Sequence, residues 1–173
     1  KLILGSYGSA NTEAQAAVIE RNNQVMVDSS GADNNIFAKG YKRTFGVLSP
    51  ATEYAASIIK AVAELASPKP TSVVVLSADD GFSKRAADGA AKAAKDLGFT
   101  VLETQYFANG TTDVSASLNK VKSSNPEVII GSVHLAEGVA IIKQAKELGV
   151  VPKVFGETVA PPTPDFVTTL TKD

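Results

Sequence analysis

His134 is the single histidine of the chain, so any nucleophilic triad or general-base chemistry resting on an imidazole has to be built around it. Its neighbourhood supplies no partner: Gly131-Ser132-Val133 lacks the second glycine of a nucleophile elbow, and no HExxH or CxxC pattern occurs. Asp79-Asp80 could form a metal-binding or phosphoryl-acceptor pair of carboxylates. A site of that kind needs a further acceptor aspartate at the end of a later strand, and the apolar run ending Ile130-Gly131-Ser132 has none. The aspartates suit a helix entry instead, where a short carboxylate accepts hydrogen bonds from free backbone amides. Gly5-Ser6-Tyr7-Gly8 departs from GxGxxG, and no phosphate-cradling GxxxxGKS or GxxxxGKT is present. With no cysteine there are no disulfides and no thiolate metal sites. No cofactor and no metal are implied. The chemistry that remains is non-covalent recognition by hydroxyls, backbone amides, aromatic faces and a few carboxylates.

Those groups need elements to hold them. Leu2 to Ser6 is a short apolar run ending near Gly5, and Thr12-Glu13-Ala14-Gln15 has capping-box spacing ahead of Ala16, Ala17, Val18 and Ile19, which predicts a strand and then a helix. Residues 24–27 predict a second strand, residues 29–35 a polar loop, and residues 41–47 an extended segment. Ser49-Pro50 places an N-cap before a proline, and Ile58, Ile59, Val62 and Leu65 follow at helical spacing until Pro68 and Pro70 end the helix. From there strands over 72–77, 99–105, 127–131 and 153–155 alternate with helices over 83–97, 113–123 and 136–148. Gly98 and Gly149 fall just past two of those helices, where a left-handed cap wants glycine. Val73-Val74-Val75-Leu76 and Val128-Ile129-Ile130 are unbroken rather than alternating, as strands are when helices cover both faces. The fold class is therefore α/β, a doubly wound parallel sheet.

In such sheets ligands bind beyond the carboxyl ends of the strands. The loops to watch are Tyr7-Gly8-Ser9-Ala10-Asn11, Ser29-Ser30-Gly31-Ala32-Asp33, Ala78-Asp79-Asp80-Gly81-Phe82, Ser132-Val133-His134 and Gly156-Glu157-Thr158. Ser9 lies just ahead of a helix start, where free amides and the helix dipole favour an anion, although Ser9 or Thr12 could equally cap the helix. Phe82 could stack on a ligand or pin its loop, and His134 could touch a ligand or serve the structure. Asn109-Gly110-Thr111 fits a glycosylation sequon, but its Asn-Gly pair predicts a tight turn.

Composition narrows the partners. At 173 residues, 44% hydrophobic and 20% charged, the chain can bury a full core, and a net charge of -1 with basic residues scattered leaves no footprint for nucleic acid. The apolar runs are far shorter than the roughly 18 residues of a membrane-spanning helix. The opening Lys1-Leu2-Ile3-Leu4-Gly5 has no signal-peptide pattern.

The order and spacing of several motifs resemble the leucine/isoleucine/valine-binding protein family, the type I periplasmic solute-binding proteins of branched-chain amino acid ABC transporters. The resemblance rests on Ile3-Leu4-Gly5-Ser6-Tyr7-Gly8-Ser9-Ala10-Asn11-Thr12, on Ser29-Ser30-Gly31-Ala32-Asp33 followed by Gly40-Tyr41-Lys42-Arg43-Thr44-Phe45-Gly46, and on Gly110-Thr111-Thr112-Asp113-Val114. Gln144-Ala145-Lys146-Glu147-Leu148-Gly149 and Thr163-Pro164-Asp165-Phe166 resemble it too. It implies the type I periplasmic-binding-protein fold as a partial two-lobe chain, with residues 1–48 the remnant of an N-terminal lobe and residues 49–173 most of a C-terminal lobe. It also implies a ligand site made by Tyr7, Ser9, Gly31, Ala32, Asp33, Phe82, His134, Glu157 and Thr158. Ser9 would receive the ligand carboxylate, Gly31 to Asp33 grip the head group, and Glu157 or Thr158 meet the ammonium. Three residues depart from the family pattern: Asp33 stands where a threonine is common, Phe82 lacks a phenolic hydroxyl, and Gly8 replaces a cysteine of some members. An Asp33 carboxylate would repel a ligand carboxylate brought beside it, which counts against a standard branched-chain amino acid.

The function implied is an extracytoplasmic component of an ABC importer, binding an amino acid or similar small carboxylate between hinged lobes. Its partners would be that ligand and the transporter's membrane subunits, with no nucleic acid and no membrane insertion in this segment. The implied location is periplasmic or otherwise extracytoplasmic, with lipid anchoring through a preceding segment one form of it. Two alternatives differ in class: the ligand-sensing domain of a receptor or transcription regulator with the same fold, and an α/β enzyme using His134 or Asp79 and Asp80.

Overall fold

The computed structural model describes residues 1–171 and contains two separate parallel sheets. The first takes β1 (Leu2–Leu4), β2 (Val25–Asp28) and β3 (Thr44–Gly46) in the order β1-β2-β3, connected through α1 (Ser9–Arg21) and the short α2 (Asn34–Ala38). Leu2 pairs with Val25 and Met26 with Thr44. Side chains on alternate residues of these strands face opposite ways. Ile3 and Met26 therefore pack with Ala16 and Ile19 of α1 and Ile36 of α2, while Leu2, Leu4 and Phe45 on the other face are exposed.

The second sheet has the order β5-β4-β6-β7, all parallel, from β4 (Ser72–Ala78), β5 (Thr100–Phe107), β6 (Val128–Ser132) and β7 (Val154–Glu157). Five helices accompany it: α3 (Ala51–Leu65), α4 (Gly81–Asp96), α5 (Ser115–Ser124), α6 (Leu135–Leu148) and α7 (Pro164–Leu170). The unbroken apolar runs have the expected cause, since Val73 and Val75 of β4 and Val128 and Ile130 of β6 meet α3 and α4. Val74, Leu76 and Ile129 meet Leu118 and Val121 of α5 and Ile141 and Ala145 of α6 on the opposite face. Each fully buried branched side chain is worth roughly 1.5–3 kcal/mol in removal from water. The α3–α4 contact is close because α4 offers alanines and Gly89, whose backbone lies against the Thr52 carbonyl oxygen.

Several local expectations need correction. The first helix begins at Ser9 rather than at the Thr12 capping box, because Gly8, at φ 94°, turns the chain into it without any side-chain cap. Thr12 is instead fully buried and donates to Asp28 Oδ1 at 2.8 Å. Pro50, not Ser49, occupies the N-cap of α3. The polar loop after β2 gives way at Asn34 to α2, capped by Asp33, and α7 stands outside the expected series with Pro164 in its first turn.

The two sheets meet at the ends where their strands finish. Ala51 N–H donates to Ala32 C=O at 2.7 Å, and Asn34 Nδ2 donates to Thr52 Oγ1 at 3.3 Å. Ala32, Ala51 and Phe82 form a small apolar cluster with Tyr54 and Val159. Among the described residues no helix is long and apolar enough to cross a membrane.

Candidate functional site

On the first sheet, the buried Asp28 at the end of β2 organises the loop that follows. Its Oδ1 accepts from Thr12 and its Oδ2 accepts from Gly31 N–H at 2.9 Å, so the loop folds back over α1. Gly31 lies directly on Thr12, in a space that a Cβ would overfill. Beyond it, Asp33 N–H donates to Ser9 Oγ at 3.1 Å, which joins the loop to the first turn of α1. The Asp33 carboxylate accepts from Asn35 N–H at 3.0 Å and lies against Gly81 of the second sheet's α4.

On the second sheet, Asp80 caps α4 by accepting from Ser83 N–H at 3.0 Å and Ser83 Oγ at 2.7 Å. Its Oδ2 is 3.2 Å from His134 Nε2. Burial alone would raise the Asp80 carboxyl, but the bonds from His134 and Ser83 outweigh it and hold the group below the usual range. The same Asp80 bond lifts the His134 imidazole above its ordinary value against the opposing effect of burial. Phe82 is wedged between two rings, Tyr54 edge-on at 5.1 Å and His134 tilted at 5.6 Å between centroids. Thr158 Oγ1 accepts from Val133 N–H at 3.1 Å and donates to Val133 C=O at 2.9 Å, so β7 fixes the loop that carries His134.

Between these two sets of loops lies a hollow of about 150 Å³. Its aromatic walls are Tyr7, Tyr54, Phe82 and His134, and its polar groups include Ser9, Ser29 and Ser30. Ala32, Leu48 and Val159 complete its apolar part. A wider hollow of about 340 Å³ shares Tyr7, Ser9, Phe82 and His134 with it and adds the carboxylates of Glu13, Asp33 and Asp80. Thus Tyr7, Ser9, Ala32, Phe82 and His134 come together in one space, with Asp33 on the rim next to it.

Three expected residues stand elsewhere. Gly31 is packed beneath its loop, and Thr158 is a brace behind His134. Glu157 turns away from the hollow, into the space between Gly131 of β6 and Gly138 of α6. Among the described residues its buried carboxylate oxygens have no hydrogen-bond partner, and burial pushes its pKa up to about 8. Ser9 also departs from expectation, being the first residue of α1 rather than the one before it. Sequence reasoning passed over Tyr54 and Leu48, the first because a tyrosine in an apolar helix reads as core and the second because a lone leucine in a loop carries no signal. It took Asp80 for a cap, which it is, without its contact to His134.

Residues 1–163 match the model of a family described as periplasmic binding protein. The chain belongs to that family. Solved periplasmic binding proteins share its fold at low identity. A solute-binding protein of an ABC transporter from R. palustris, in complex with 4-hydroxybenzoate, is 18% identical with a TM-score of 0.85 over 97% of this chain and 46% of its own. An ABC transporter substrate-binding protein from Desulfitobacterium hafniense, in complex with Leu, is 17% identical with a TM-score of 0.73 over 90% of this chain and 46% of its own. A branched chain amino acid ABC transporter periplasmic ligand-binding protein from Burkholderia xenovorans is 19% identical with a TM-score of 0.74 over 99% and 45%. This periplasmic binding protein chain thus spans less than half the length of each of these proteins.

Proposed function

We propose that the chain supplies facing parts of the ligand cleft of an extracytoplasmic solute-binding protein, which delivers a small acid to the membrane subunits of an ABC importer without altering it. Residues 1–48 would belong to one lobe and residues 49–173 to the other, closing over the solute by hinge bending. The observation that carries this reading is the hollow where the strand ends of both sheets face each other, walled by Tyr7, Tyr54, Phe82 and His134. Its volume of about 150 Å³ is that of an apolar cavity able to take up one benzene ring. Ser9 and the first amides of α1 give a carboxylate a place at the edge, since the opening N–H groups of a helix have no partner within it. Glu157, the acid that would meet an ammonium, turns away from the hollow, which favours a flat acid such as a benzoate over an amino acid.

The test is a thermal-shift and calorimetric titration of the purified protein with benzoate, 4-hydroxybenzoate and leucine. A bound solute at about a hundred times its Kd stabilises the protein by roughly 2.7 kcal/mol, a readily visible shift. Stabilisation by a benzoate with the solute recovered unchanged is the expected result. No shift with any of the three, or conversion of one to product, refutes the assignment.

A further inference from the structure

We propose that His134, clamped by Asp80, decides which solutes the hollow accepts: the imidazolium shares with Ser9 and the first amides of α1 the anionic group of a flat apolar acid, so the acid is preferred over its neutral isostere. This rests on the hollow being the solute site. Four features carry it. His134 lines both hollows. Its Nε2 is committed to Asp80, while among the described residues its Nδ1 has no protein partner and is left for a ligand. Asp80 is itself fixed by two bonds from Ser83, so the imidazole is held against a rigid acceptor rather than a mobile one. Finally, the ring contacts Phe82, which contacts Tyr54, so the charge sits beside the apolar surface that would receive the body of the solute.

The cationic form is the one that serves. An imidazolium donates from both nitrogens, one to Asp80 and one to an anion, whereas a neutral ring that donates to Asp80 has only a lone pair left to offer and repels an anion. Since Asp80 raises the imidazole above its ordinary value, the cation persists to higher pH than that of a free histidine, and affinity for the acid is lost as pH rises through the raised value. The other charged or titratable groups around it are Glu137 in the first turn of α6, Glu157 behind the same turn, and Tyr7, Glu13, Asp33 and Tyr54 across the hollows. None of these forms an ion pair with His134 among the described residues; Asp80 does.

The experiment is calorimetric titration of the purified protein with benzoate, benzamide and leucine from about pH 5.5 to about 8.5, a range in which a carboxylate of ordinary pKa stays ionised. At the acid end benzoate should bind about tenfold or more tighter than benzamide, the size of a hydrogen bond between charged groups, and this preference should shrink as pH rises. His134→Gln should remove the preference at every pH. Asp80→Asn keeps the helix cap and should move the loss of preference to lower pH, which tests the clamp even if the histidine variant fails to fold. The titration is repeated in Glu157→Gln, which removes a second group titrating in this range; the slope should remain. A benzoate preference that survives His134→Gln, or an Asp80→Asn profile that does not move, overturns the proposal while leaving a solute site in place. So does binding of leucine without benzoate. If none of the three solutes binds, the solute-site reading fails and this proposal with it.

Discussion

Glu157→Gln should stabilise the protein at neutral pH, against the usual expectation that a buried substitution costs stability. The Glu157 side chain lies by Gly131 and Gly138, its residue is 8% exposed, and among the described residues neither carboxylate oxygen has a partner. Burial raises its pKa from 4.5 to about 8. Below about pH 4.5 the carboxyl is protonated in both folded and unfolded chains and contributes no pH dependence. Between there and about pH 8 the folded chain keeps a proton that the unfolded chain has released, so stability falls as pH rises, by about 1.4 kcal/mol per pH unit. At pH 7 the accumulated penalty is roughly 3 kcal/mol, and above about pH 8 it levels off. Glutamine has nearly the same shape and no charge, so the variant should lack this slope, match the wild type to within about 1 kcal/mol near pH 4.5, and exceed it by roughly 3 kcal/mol at pH 7. Urea denaturation of both proteins at a series of pH values measures the difference. A difference that stays constant with pH, or that grows in the wild type's favour as pH rises, refutes the account of Glu157 as a neutral buried acid.

Two further outcomes follow from the packing and the surface charges. Gly89→Ala should destabilise the protein by about 1–3 kcal/mol in denaturant melts, although alanine is worth about 1 kcal/mol more than glycine in an exposed helix, because its methyl would collide with the Thr52 backbone and force α3 and α4 apart. Glu127, whose carboxylate is held by Lys153 and by the Thr71 amide and hydroxyl, has a pKa lowered to about 2; its contribution is present above about pH 4.5 and is lost as pH falls toward 2, so Glu127→Gln should flatten the acid limb of the stability profile.

The sequence was most legible where burial is two-sided. In β4 and β6 every residue of the apolar run faces one helical layer or the other, so the run itself betrays the element. The amphipathic α3, α5 and α6 were legible by spacing because each buries one face and writes a stripe, and Gly149 ends α6 at φ 66° as its position suggested. What escaped notice was structure that buries little. α2 has Ile36 as its one buried residue and α7 has none, so neither writes a stripe into the sequence. The start of α1 escaped because Gly8 makes the turn through its backbone angle and leaves no polar side chain to flag it. In the site, the strand-end rule picked out loops that border the hollow but gave no direction for their side chains. Glu157 packs by Gly131 and Gly138 and Thr158 bonds Val133, while Val159 lines the hollow, and nothing in the spacing tells the three apart.

Several of the residues that wall the hollow also join the two sheets. Ala32 lines it and also accepts the Ala51 amide; Phe82 lines it and packs with Ala32 and Ala51; Tyr54 lines it and buttresses Phe82. A solute in that space would touch loops of both sheets at once, and its contacts with one set exist in full only when the other set is near. Any arrangement in which the sheets stand further apart forfeits part of those contacts, so the solute favours the approached form by its differential affinity alone. The Asp33 carboxylate lies against Gly81 across that approach, and a Cβ at position 81 would crowd its Oδ2, so the carboxylate would have to turn aside. If the hollow is the solute site, binding and approach of the sheets are one equilibrium, and a residue at position 81 too bulky for the Asp33 carboxylate to turn aside for should weaken solute binding.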